Sequence, residues 1–287
     1  MLMASSKNQS GFGFKAGIFA VLAGLAYWLF TQFGSGGETQ APPLEPGRVE
    51  LACQVPDELI PANSQGQIVR NTWYALSYVE AHEQAEWVGF ELTRDHLNMP
   101  WHDRPDGFQP DTDIRTESAD PRDYSHSGYD RGHLCAAADL AFSEEGIAST
   151  FQMSNISPQL KEFNGGIWRK LEEQVRYWAK KKGRLYVLTG PVLTEPIIEK
   201  IGHNGVSVPS AFYKIAYDPD NGHGIGFVLP HEVSDAHFMD YACSIDEVEE
   251  RTGLDFFPVL LNSRDGKWTE AALDKSQWRV RGYVPQD

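Results

Sequence analysis

Three hydrophobic patterns follow one another along the chain, and each predicts a different kind of element. Residues 16–33 (AGIFAVLAGLAYWLFTQF) form an apolar run without a single charged position. At a rise of 1.5 Å per residue it reaches roughly 27 Å as a helix, enough to cross the hydrocarbon layer of a bilayer. Lys7 and Lys15 precede the run, whereas Glu38, Glu45 and Glu50 follow it with only Arg48 among them. By the positive-inside rule, residues 1–15 stay in the cytoplasm and the rest of the chain lies on the other side. A cleaved signal peptide is the competing reading, but no clean Ala-x-Ala site follows the bulky Trp28-Leu29-Phe30 end. We therefore expect a transmembrane signal anchor at 16–33, a Gly/Ser/Pro linker at 34–47 and one folded domain at 48–287.

Beyond the linker, the pattern changes to short stretches rich in aromatic and β-branched residues. Segments 71–79 and 85–93 are separated by a polar stretch at 80–84 and predict a hairpin; 184–189, 211–217 and 224–229 predict three further strands. Between them, residues 164–182 predict an amphipathic helix, because Ile167, Trp168, Leu171, Val175 and Trp178 recur at intervals of three and four. A second, short helix is expected at 245–251, stopped by Thr252-Gly253. The polar loop 96–127, with four prolines, is too long to be idle in a compact domain and is expected to wall a groove.

Composition narrows the class. Apolar residues at 41% and aromatics at 12% exclude a disordered chain, and about 240 residues remain for one domain with a substantial core. A net charge of −15 argues against tight, salt-driven attachment to nucleic acid, although a hydrolase needs positive charge only inside its groove. The three cysteines, Cys53, Cys135 and Cys243, lack metal-ligand spacing, and one disulfide at most can form. Cys53 with Cys243 is the expected pair in an oxidising compartment, while Cys135 is expected to be a small buried filler rather than a nucleophile.

The chemistry concentrates in Tyr129-Asp-Arg-Gly-His-Leu134, Ser154-Asn-Ile-Ser-Pro-Gln159 and Phe163-Asn-Gly-Gly-Ile-Trp168. Hydrolysis of an anionic phosphodiester needs a positioned base, positive charge on the crowded phosphorus and help for the leaving oxygen. Histidine suits the first task, since its ordinary pKa leaves it neutral yet basic near pH 7. The wording of these segments resembles the DNA/RNA non-specific endonuclease family, and Tyr74-Ala-Leu-Ser-Tyr78, Ala85-Glu-Trp-Val88, Gly190-Pro191, Pro209-Ser-Ala-Phe212 and 249–254 extend the likeness over roughly residues 70–260. The resemblance implies an α+β, ββα-metal nuclease fold with a central antiparallel sheet flanked by helices. It further implies His133 as general base, Asn164 as the protein ligand of a single Mg²⁺, with Mn²⁺ as substitute, and DNA and RNA as substrates cut to 5′-phosphate ends. Glu172 would orient water beside the ion, and Arg131, Arg104 and Arg176 would clamp phosphate through their forked guanidinium groups.

Each of these residues also has a plainer reading. Asn164 is a natural helix N-cap as well as a ligand, and Arg104 sits equally well in a surface ion pair. Asp130 is expected to support the site rather than bind metal, and Asn155 to shape it rather than ligate. His126 with His133 lacks a third ligand at zinc spacing, and Lys180-Lys181-Lys182 with Arg184 is a solvated helix end before it is a nucleic-acid groove. Two rival functions stand beside the nuclease: a membrane-tethered phosphodiesterase acting on small or lipid diesters, and a catalytically silent envelope protein that binds nucleic acid. The bacterial periplasm is the expected compartment and the mitochondrial intermembrane space the second choice. Because none of the expected chemistry precedes residue 100, deletion of residues 1–47 should give a soluble, fully active enzyme, while the intact chain should sediment with membranes and resist a salt wash. Mapping the mature N-terminus downstream of Phe33 would replace the anchor by a cleaved signal.

Overall fold

The computed structural model describes residues 55–259, 273–280 and 283. The expected anchor, the linker and Cys53 lie outside the described residues, among which no helix is long and apolar enough to cross a membrane. Cys135 and Cys243 are free thiols.

The expected strands assemble into one antiparallel sheet. In chain order its first members are β1 (Gln67–Arg70), β2 (Tyr74–Val79) and β3 (Gln84–Thr93). A short helix α1 (Arg94–Leu97) follows, then β4 (Asp130–His133), α2 (Glu144–Ser149), β5 (Ile156–Gln159) and the main helix α3 (Arg169–Lys182). The chain continues through β6 (Arg184–Pro191), β7 (Glu199–Ile201), β8 (Val206–Val208), β9 (Ala211–Asp218), β10 (His223–Pro230), β11 (Ala242–Cys243) and α4 (Ile245–Thr252). The large sheet runs β1-β2-β3-β6-β9-β10-β11, while β4 with β5 and β7 with β8 form separate two-stranded pairs. The 71–79/85–93 hairpin is thus β2–β3, with one register shift that leaves Glu86 unpaired in a bulge.

Both faces of the sheet are covered, which explains why its strands read as nearly continuous apolar runs. Successive side chains of a strand point to opposite faces. On one face Leu76, Phe90, Val187, Phe212 and Phe227 pack with Trp168, Leu171, Val175 and Trp178 of the helical segment. On the other, Ala75, Trp87, Leu188, Tyr213 and Val228 pack with Ile245 and Val248 of α4 and with Phe256 and Phe257. The α4 helix ends as expected at Gly253, whose φ of 72° is left-handed.

The main helix departs from its expected form at the start. Instead of one regular helix from Asn164, a helical turn at Lys161–Phe163 runs into a wide π-helical segment, Asn164–Trp168, before α3. Gly166, at φ −103° and ψ −109°, kinks it there. Glycine tolerates that conformation, and the four buried apolar side chains that dock the helix contribute roughly 1.5–3 kcal/mol each, more than the about 1 kcal/mol of a lost helical hydrogen bond. Asn164 is consequently not the N-cap: its backbone is helical at φ −58°, ψ −52°, and its side chain is free for another partner. At the other end, Arg94 donates to the carbonyls of Lys180 and Lys181 at 2.6 and 2.9 Å, and Lys182 pairs with Asp218 at 3.1 Å. The lysine run closes the helix, with the Lys180 and Lys181 carbonyls held by Arg94 and the Lys182 ammonium by Asp218.

One histidine outside the motifs holds the beginning of this helical segment. His231, after β10, is set with Nδ1 at 2.9 Å from the Pro209 carbonyl, so Nδ1–H donates there and Nε2 accepts from the Leu160 N–H at 2.7 Å. This arrangement requires a neutral ring, and burial pushes the His231 pKa below its ordinary value. An unfolded chain therefore takes up the proton first. Stability is fully present above the ordinary imidazole pKa of about 6.5 and is lost as pH falls from there through the depressed value. His231→Gln, which offers the same donor and acceptor without titrating, should flatten this dependence; equal pH slopes of urea midpoints for variant and wild type would show that the His231–Leu160 hydrogen bond is not its source.

Candidate active site

Strand β4 is short because its side chains serve a cleft rather than a core. It pairs antiparallel with β5 from Asp130↔Gln159 to His133↔Ile156. Gly132 is needed for this pairing: a Cβ there would meet Gln159 Oε1, Cδ and Cγ at 2.2, 2.3 and 2.6 Å. Gln159 itself is fully buried. The strand end is locked by Asn155, whose Oδ1 accepts from the Cys135 N–H and whose Nδ2 donates to the Cys135 and Thr150 carbonyls, all at 2.9 Å. With its amide fully used and buried, Asn155 shapes the turn after His133 and does not face the cleft.

The cleft, about 490 Å³, gathers residues from three sources. The long loop brings Trp101, Arg104 and Phe108, β4 brings Asp130, Arg131 and His133, and the helical segment brings Asn164, Arg169, Glu172 and Arg176. Six of the seven residues anticipated for the chemistry or the metal therefore converge, Asn155 being the exception. His126 is exposed and stands apart, and among the described residues no three His, Cys, Asp or Glu side chains form a metal-binding group.

His133 lies between Phe108 and Phe151, at ring distances of 5.5 and 4.9 Å, and its Nε2 is buried without a hydrogen-bond partner. Burial, with the Arg104 guanidinium second, pushes its pKa down to about 3. The lowered pKa favours a neutral ring near pH 7. Asn164 donates through Nδ2 to Asp130 Oδ2 at 3.2 Å, which turns its amide oxygen away from Asp130, with no hydrogen-bond partner among the described residues. A hard divalent cation accepts such an oxygen and fills the rest of its shell with water, so Asn164 fits the single-ligand site that the resemblance implied. Asp130 supports this amide by accepting its N–H.

The arginines differ in how free they are. Arg104 is exposed and has no ion pair among the described residues, so the surface salt bridge is not formed. Arg131 lies over the Phe108 and Tyr124 rings at 5.5 and 5.8 Å and donates to the Pro121 carbonyl at 2.5 Å, leaving its buried Nε without a partner. Arg176 is committed to Asp139 at 2.7 Å, the two side chains being 13% and 5% exposed. Breaking such a buried pair costs about 3–5 kcal/mol, against about 0–1 for the exposed Arg169–Glu173 pair. Arg176 is therefore as much a structural residue as a clamp.

Behind the cleft lies a charge that the motifs did not reveal. Lys214 of β9 is 1% exposed, donates to Thr189 Oγ1 at 3.1 Å and to the Leu134 carbonyl at 3.5 Å, and stands over the Trp168 ring at 4.7 Å. Burial raises the Glu172 pKa to about 7, and Lys214 is the strongest influence opposing that rise. A signal was present in the sequence: by strand alternation Lys214 shares a face with Phe212 and Ala216, both of which are core residues. Cys135, also buried, has its thiol pKa raised well above the ordinary value by that burial and is the inert filler expected.

The comparisons with known proteins agree with this geometry. Nuclease EXOG, mitochondrial, of Danio rerio is 29% identical over 277 residues, covering 91% of this chain and 77% of that protein. Endonuclease G, mitochondrial, of Homo sapiens is 32% identical over 203 residues, 66% of this chain and 68% of that protein, and a nuclease of Nostoc sp. is 31% identical over 246 residues, 76% and 85%. The solved EndoG/EndoGI complex aligns with a TM-score of 0.62 at 31% identity, covering 67% of this chain and 86% of that one. Residues 57–263 match the family described as DNA/RNA non-specific endonuclease. With β4, β5 and the helix bearing Asn164 arranged as the ββα unit beside an antiparallel sheet, this chain belongs to the DNA/RNA non-specific endonuclease family and is a nuclease.

Proposed function

We propose that this enzyme hydrolyses the backbone of both DNA and RNA, with His133 as general base and one Mg²⁺ held by Asn164, leaving 5′-phosphates. One observation carries the reading: the neutral His133 ring and the unpartnered Asn164 oxygen open on the same cleft as Arg104, Arg131 and Arg176. When bound, the ion supplies positive charge to the non-bridging and leaving oxygens. His133 takes the proton of the attacking water. Arg104 and Arg131 hold the phosphate, Arg176 works from its pairing with Asp139, and Glu172 orients water from farther along the helix. Asn155 keeps the His133 strand end in place.

The depressed His133 pKa also gives the substrate a part in activation. A base held at about 3 in the free enzyme is weak. An anionic phosphate paired with Arg104 cancels one of the two causes of that depression, so the imidazole becomes more basic when the diester is in place. Contacts assigned to phosphate and metal rather than to base edges or a 2′-hydroxyl imply action on either sugar without a recognition sequence.

We place the catalytic domain on the non-cytoplasmic side of a membrane, tethered by residues 16–33. The relatives named as mitochondrial support a mitochondrial location, the second of the two compartments expected from the sequence.

Activity should vanish in EDTA and return with Mg²⁺ or Mn²⁺. Asp130→Ala, which frees the Asn164 amide to rotate, should raise the Mg²⁺ needed for half-maximal rate by about 10–100-fold, the usual effect of removing a group that orients a ligand. Full activity in chelator, or an unchanged Mg²⁺ requirement in the variant, would defeat the one-ligand site. For the base, His133→Ala should lose roughly 10²-fold or more in rate with folding and DNA binding retained, and added imidazole should restore part of it. Near-normal turnover, or a variant that unfolds, would return His133 to a structural role.

A further inference from the structure

Six tryptophans lie among the described residues, and five of them are accounted for by packing. Trp87, Trp168, Trp178 and Trp278 are buried and Trp73 is half-buried. Trp101 is 64% exposed, yet it lines the catalytic cleft together with Arg104, His133 and Asn164. Its position is held from both sides. The preceding turn closes through Met99 N–H to the His96 carbonyl at 3.1 Å, and the following residue is anchored by His102 N–H to the Ala141 carbonyl at 2.7 Å. Between those points Pro100 fixes its own φ, so the exposed indole sits on a restrained loop.

We propose that Trp101 is a stacking platform for a nucleobase beside the cut phosphate, and that it makes the enzyme favour strands whose bases are unstacked. The proposal deepens the nuclease reading and rests on it. An indole face accepts any base, because every base presents a π surface, so the contact adds affinity without sequence preference. In a duplex both faces of a base are already occupied by its neighbours, and freeing one costs energy before Trp101 can be used. Single strands, frayed ends and nicks escape that cost. Arg104, three residues on and unpaired among the described residues, is placed to take a backbone phosphate while the indole takes a base. With a net charge of −15 the chain has little long-range attraction for nucleic acid, and stacking offers an affinity that salt does not screen.

The test is a two-by-two cycle on an oligonucleotide with a single cleavable phosphodiester, the other linkages being phosphorothioate. Wild type and Trp101→Ala are each assayed in Mg²⁺ with a normal base, or an abasic residue, on the 5′ or the 3′ side of that phosphate; a base-free aryl phosphodiester serves as reference. Trp101→Ala should raise KM for the normal oligonucleotide roughly tenfold, a typical loss for one stacked base. Removing the base on one side should cost the wild type a similar factor and the variant almost nothing more. Trp101→Phe should recover most of the affinity, and binding in EDTA, followed by anisotropy of a fluorescently labelled oligonucleotide, should weaken in Trp101→Ala. Additive losses from the two changes, or a loss as large on the base-free diester as on the oligonucleotide, would overturn the stacking role while leaving the nuclease reading intact. A wild type that cleaves none of these substrates would overturn both.

Discussion

The hydrogen bond from Asn164 Nδ2 to Asp130 Oδ2 ties the two halves of the site together. Asp130 opens β4, and His133 closes it about 10 Å farther along at strand spacing. Asn164 opens the π-helical segment that leads into α3. One side-chain contact therefore relates the strand that carries His133, the proposed base, to the helical segment that carries Asn164, the proposed metal ligand. It also orients the amide, since placing the nitrogen on a carboxylate points the oxygen, the only amide atom that can ligate a cation, the other way. Elements farther away serve this contact: the π-helical kink sets where Asn164 points, His231 holds the backbone N–H of Leu160 just before it, and Asn155 prevents the residues after His133 from drifting.

The strongly acidic composition is compatible with an anionic substrate because the charges that matter are local. The cleft holds Arg104, Arg131, Arg169 and Arg176 against Asp130, Glu172 and Glu173, and Lys214 lies beneath it. Charges beyond about 8 Å across solvent are screened at physiological salt, so acidic residues elsewhere do little at the scissile phosphate. Buried charge has a different effect: Lys214 costs several kcal/mol to desolvate, and the structure meets this with Thr189, the Leu134 carbonyl and the Trp168 ring.

Much of the sheet was legible in the sequence, because β2, β3, β6, β9 and β10 are covered on both faces and read as apolar runs. The helix was legible from its Leu171, Val175 and Trp178 stripe, though not its π-helical entry, since periodicity is blind to a kink at Gly166. β1, β7 and β11 are short edge elements without an extended pattern. β4 escaped for a more informative reason: Asp-Arg-Gly-His has no hydrophobic alternation, because its side chains belong to chemistry rather than to the core. Its motif revealed what its pattern concealed. Residues such as Lys214 and Asp139, which act on the site from remote segments, carry no local signature beyond being polar where the fold wants apolar.

The contact between Gly132 and Gln159 alters what should count as the recognisable unit of this enzyme. Four consecutive residues look self-sufficient as a signature, yet the third leaves room for a glutamine contributed by the neighbouring strand. Transplanting the tetrapeptide alone into another scaffold would leave a hollow where that glutamine packs, and enlarging the glycine in this chain would wedge the two strands apart. The inheritable module is a pair of strands, and its spelling is split between two stretches of the gene.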